Sequence, residues 1–70
     1  MGGDGFREYL GTIPDELLEQ VSMDYVGLAR LSFPGGSAEE FFRRRECCRA
    51  ECLRRGRPGI YRQAEWAVAA

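Results

Sequence analysis

From Pro14 to Leu31 the apolar residues Leu17, Leu18, Val21, Tyr25, Leu28 and Leu31 return at intervals of three and four. That interval is the period of one face of an α-helix, so the spacing predicts a helix from about Ile13 to Leu31. Thr12, Ile13, Pro14 and Asp15 supply its start: a hydroxyl cap, a proline in the first turn and a carboxylate three residues after the cap. Phe33, Pro34, Gly35 and Gly36 end it. Ser37 with Glu40 forms a second capping box, which opens a helix running to Arg55, with Gly56 as a left-handed stop. Glu39 and Glu40 fall in its first turn and Arg54 and Arg55 in its last, the arrangement the helix dipole favours.

Two shorter segments flank these rods. Asp4 is placed to cap a short helix that brings Phe6, Tyr9 and Leu10 to one side before Gly11 stops it. After a turn at Arg57, Pro58 and Gly59, the alanine-rich stretch from Ile60 to Ala70 sets Ile60, Ala64 and Val68 four apart and favours a helix. A strand through Ile60, Ala64, Trp66 and Val68 is the competing reading. The fold class is therefore all-α, a compact three-helix bundle with room for a short extra N-terminal helix. Seventy residues support one small core, so residues 1–70 form a single domain. The expected core takes Leu10, Ile13, Leu17, Val21, Tyr25, Leu28 and Phe33 from the first half. From the second it takes Phe41, Phe42, Cys48, Cys52, Leu53, Ile60 and Val68.

One charge interrupts each apolar stripe. At about 100° per residue, Asp24 falls among Leu17, Val21 and Leu28, and Arg45 falls between Phe41, Cys48 and Cys52. An unpaired buried charge costs several kcal/mol, so the two are expected to meet as a structural ion pair that fixes helix register. The alternatives are that Arg45 carries its head out to water along a packed stem, or that it receives a carboxylate from a ligand or partner.

Composition narrows the chemistry. The chain has no histidine, lysine or asparagine, and all ten of its basic residues are arginine. The commonest general base, the Schiff-base amine and the best adenine reader are thus missing, and no enzyme activity is expected. Cys48 and Cys52 lie one turn apart on the inner face, and Cys47 is expected to point outward beside Arg43 and Arg44. Zinc would need two further ligands, so no metal or other cofactor is expected. An odd number of cysteines without an export signal fits free thiols in the cytoplasm, and no apolar run is long enough to predict a membrane span.

The net charge of −1 conceals an asymmetry. Residues 1–42 hold eight acids and two arginines, whereas residues 43–62 hold eight arginines and two glutamates. Arg43, Arg44, Arg54, Arg55, Arg57 and Arg62 are expected to face outward and could track phosphates, although Glu46 and Glu51 sit at helix-pairing distance from several of them. Asp15, Glu16 and Glu19 on the exposed side of the first long helix suit a basic groove on a partner. Trp66 beside Arg62 has the composition of a binding hot spot. The function expected is a non-catalytic regulatory, inhibitory or adaptor module that docks onto another protein or a protein–nucleic-acid complex. The alternative is a backbone-directed nucleic-acid binder built on the arginine-rich helix. Association of two copies, acidic side to basic side or as a two-fold dimer, is a further use of the same asymmetry.

Overall fold

The computed structural model describes residues 4–31 and 36–69, without the side chains of residues 4 and 36–38. Phe33 and the capping hydroxyl of Ser37 therefore lie outside the described residues. The fold is all-α, with four helices and no strand among the described residues: α1 (Asp4–Thr12), α2 (Asp15–Leu31), α3 (Gly36–Arg54) and α4 (Pro58–Ala69). The N-terminal segment is a full helix, so the three-helix count becomes four. Helices α2, α3 and α4 pack against one another, and α1 packs on α3. The Cα trace forms a slab of 34 × 32 × 15 Å.

Local chemistry explains the helix ends. Gly56 takes φ 72°, Gly56 N–H donates to Leu53 O at 2.9 Å and Arg57 N–H to Cys52 O at 2.9 Å. These are the two bonds of a Schellman stop, and only glycine enters that left-handed conformation without steric cost. Pro58 then occupies the first position of α4, where its missing N–H costs nothing, so the expected turn at Pro58 and Gly59 is already helix. Thr12 does not cap α2. Its hydroxyl donates backward to Tyr9 O at 2.7 Å and closes the end of α1, which runs through Gly11.

The largest departure from the expected core concerns α2. Its buried residues are Leu18, Ser22, Val26 and Ala29. Leu17 and Leu28 are each 41% exposed and Leu31 is 79% exposed, while Val21 and Tyr25 pack at the margin of the core. The helix is thus turned so that its smaller residues face Cys48, Cys52 and Ala64, all fully buried. Small side chains at a helix crossing let backbones come close, and the bulkier leucine stripe is left on the outside. The same rotation carries Asp24 to solvent. On α3, Phe42 and Leu53 are exposed too, whereas Cys47, expected outside, is buried on the side where α1 packs.

Candidate interaction surface

The expected Asp24–Arg45 bridge does not form. Asp24 is exposed on the outer side of α2, and Arg45 pairs with Glu46 at 3.4 Å and lies 5.4 Å from the centre of the Phe42 ring. Arg45 Nε is buried without a hydrogen-bond partner. Its position therefore combines the packed stem and outward head of a snorkelling arginine with an aromatic contact.

Most of the arginines expected to face a partner are engaged within the chain. Arg55 is the most constrained. Its Nε donates to Glu51 Oε2 at 2.7 Å, and its Nη1 donates to Asp15 Oδ1 at 2.8 Å. Its Nη2 donates to the carbonyls of Leu10 and Ile13, each at 2.7 Å. One guanidinium thus ties the end of α3 to the first turn of α2 and to the α1–α2 corner, where helix carbonyls lack partners of their own. Arg57 meets the second oxygen of Asp15 at 3.1 Å, and Arg54 grips Glu51 through Nε at 2.9 Å and Nη2 at 2.6 Å. Asp15 is accordingly a structural acid. Glu51 is buried, and the hydrogen bonds from Arg54 hold its carboxyl down to about 2 against the cost of burial, with Arg55 adding to the effect.

At the other end of α3, Arg43 and Arg44 share Glu40, at 3.4 and 3.0 Å. Arg44 also donates to the Tyr25 hydroxyl at 2.9 Å, which raises its already high pKa. Its guanidinium lies 5.1 Å from the centre of the Phe6 ring and 5.8 Å from that of Tyr25, whose own rings meet edge to face at 5.3 Å. This cluster pins α1 to α2 and α3. Nothing in the spacing of Phe6, Tyr25 and Arg44 announces it, because the three sit on three different helices.

Burial disfavours the thiolate at two of the three core cysteines. Burial pushes the Cys48 thiol up to about 11 and raises Cys52 as well, with Ser22 opposing part of the rise in both. All three cysteines are free. Among the described residues no group of three or more histidine, cysteine, aspartate or glutamate side chains is placed to hold a metal ion. No helix among them is long and apolar enough to cross a membrane.

What remains outward is mainly apolar and acidic on α2 and mixed on α3 and α4. Glu16 is exposed and Glu19 half-buried on α2. Trp66 is 71% exposed, two residues from both Ala64 and Val68 and hence turned away from the packed side of α4. Arg62 is exposed and lines a groove of about 260 Å³ between α3 and α4 with Arg49, Leu53, Pro58, Tyr61 and Glu65. Of the expected partner-binding residues, the fold leaves Glu16, Arg43, Arg54, Arg57, Arg62 and Trp66 exposed, with Arg43, Arg54 and Arg57 each in a salt bridge, and draws Asp15, Arg44 and Arg55 further into its own contacts. Comparison of the chain with protein-family models, with curated proteins and with solved structures finds no match.

Proposed function

We propose that this protein is a non-catalytic docking module, acting as a regulator, inhibitor or small subunit on a protein or protein–nucleic-acid complex. The supporting observation is that α2 carries two apolar stripes and the fold buries the smaller-sided one. Leu17, Leu28 and Leu31 of the other stripe are exposed, with Val21 at the margin of the core, and form an outer seam of the kind that meets another helix, with Asp24 set in its middle. Exposed leucines in such a row weaken solubility unless they are covered at least part of the time. Trp66 adds a second large exposed side chain on α4. The free thiols fit a reducing compartment such as the cytoplasm.

The pairing of arginines with Glu40, Glu46, Glu51 and Asp15 weighs against the nucleic-acid reading, because a phosphate would have to displace a carboxylate already in place. Fluorescence anisotropy with duplex DNA and single-stranded RNA at low and moderate salt separates the readings. Docking through α2 predicts no salt-sensitive binding, together with a host protein retained by the wild type and lost by Leu17→Glu/Leu31→Glu. Tight binding to nucleic acid that weakens steeply with salt and vanishes in Arg43→Glu/Arg62→Glu would overturn it.

A further inference from the structure

We infer that the outer stripe of α2 docks on the outer stripe of α3 of a second copy of this chain. The inference rests on the docking reading above and names the occupant of that surface. On α2 the stripe runs Leu17, Asp24, Leu28: an apolar residue, an acid seven positions on, and an apolar residue four beyond that. On α3 it runs Phe42, Arg49, Leu53, with the same two intervals and a base in place of the acid. Positions seven and eleven apart return to within about 20° of one direction on a helix, so each trio lies along one line. All six residues are exposed. Laid side by side in the same direction, the two lines set Leu17 on Phe42, Asp24 on Arg49 and Leu28 on Leu53.

The neighbouring positions are compatible with that register. Leu31 arrives over Gly56, which has no side chain to obstruct it and stands at the α3–α4 turn. Arg49 and Leu53 also wall the groove between α3 and α4, so an incoming leucine has a recess beside it, rimmed by Arg62 and Glu65. The one unfavourable position is Val21, which falls opposite Glu46. Glu46 pairs with Arg45 at 3.4 Å as well as with Arg49 at 3.5 Å, so Arg49 can turn to Asp24 while Glu46 keeps a partner. A copy pairing its α2 stripe with the α2 stripe of another in the same register would set Asp24 against Asp24, which like-charge repulsion disfavours. The two lines lie on different helices, so each copy offers both halves of the contact.

Sedimentation and light scattering of the purified chain, with circular dichroism as the check on folding, test the inference. The wild type should show a mass rising above the 7.9 kDa monomer over about a hundredfold range of concentration. Asp24→Arg and Arg49→Glu should each stay helical and weaken association by about tenfold or more. The double variant carrying both changes, and an equimolar mixture of the two single variants, should associate again, because each restores an acid opposite a base. A wild type monomeric throughout, or single variants that associate as well as it does, would overturn the inference. A monomeric wild type whose α2 stripe still retains another protein would leave the docking function standing and remove only the second copy as occupant.

Discussion

Arg55 has a side chain only 15% exposed and four acceptors around it, two carboxylates and two backbone carbonyls. A guanidinium satisfies all four at once because its donors fan out in one plane, and no other side chain does so. Arg55→Met should therefore cost about 3–5 kcal/mol in urea unfolding, since it leaves two carbonyls without their donor and each of two acids with one arginine instead of two. Arg55→Lys should recover little of it, and Arg54→Met, at an exposed side chain, should cost far less. Glu51 provides the pH signature. Its carboxyl titrates at about 2 in the fold, below its ordinary 4.5, so its contribution is full above pH 4.5 and lost as pH falls toward 2. Glu51→Gln should lower stability at pH 7 by about 1.5–3 kcal/mol and flatten the acid limb of the pH profile; an unchanged acid limb would remove Glu51 as its cause. The Glu51–Arg55 part of this network was legible in the sequence, as an interval of four on one helix. The Asp15 part was not, because that acid stands 40 positions away and only the docked helix ends bring it near.

At the scale of the element, α2 shows where hydrophobic periodicity stops being sufficient. The pattern located the helix and, within two residues, its start and end, but it ranked faces by bulk. Leu17, Val21 and Leu28 outweigh Leu18, Ser22, Val26 and Ala29 in apolar content, yet the latter set is the one that fits against Cys48, Cys52 and Ala64. Close packing depends on shape as well as on transfer from water, and a single sequence does not reveal which helix will be opposite. The glycines divide along the same line. Gly56 was readable as a stop, and Gly56→Ala should destabilise by about 1–2 kcal/mol because its φ is 72°. Gly27, inside α2, is different: among the described residues a methyl group there would meet only Val68 Cγ1, at an ordinary 3.9 Å. Gly27→Ala should therefore stabilise by about 0.5–1 kcal/mol through helix propensity, measurable as a rise in the thermal midpoint.

For the whole molecule, one acid of the N-terminal half, Asp15, is drawn into holding the helices together, while Glu16 and Asp24 stay exposed. Asp15 meets Arg55 at the end of α3 and Arg57 in the α3–α4 turn, so this part of the charge asymmetry works as internal adhesive. The all-α fold class was readable from the helix signals, whereas this use of the charges needed the tertiary arrangement. Helix α1 is the least embedded element: it packs on α3 and is fastened by Phe6 against Tyr25 and Arg44 and by Arg55 at its end. Native-state hydrogen exchange should show α1 amides opening at lower free energy than those of α3 around Cys48 and Cys52, and Arg55→Met should widen the gap. Equal protection in both helices would contradict this.

The clasp at Arg55 also sets an order of events during synthesis. Leu10 leaves the ribosome 45 residues ahead of the guanidinium that will hold its carbonyl. Of the four helices, α1 is thus made first and is among the last to be secured. Until the end of α3 emerges, its apolar side and unfinished C-terminus stand open to whatever is nearby.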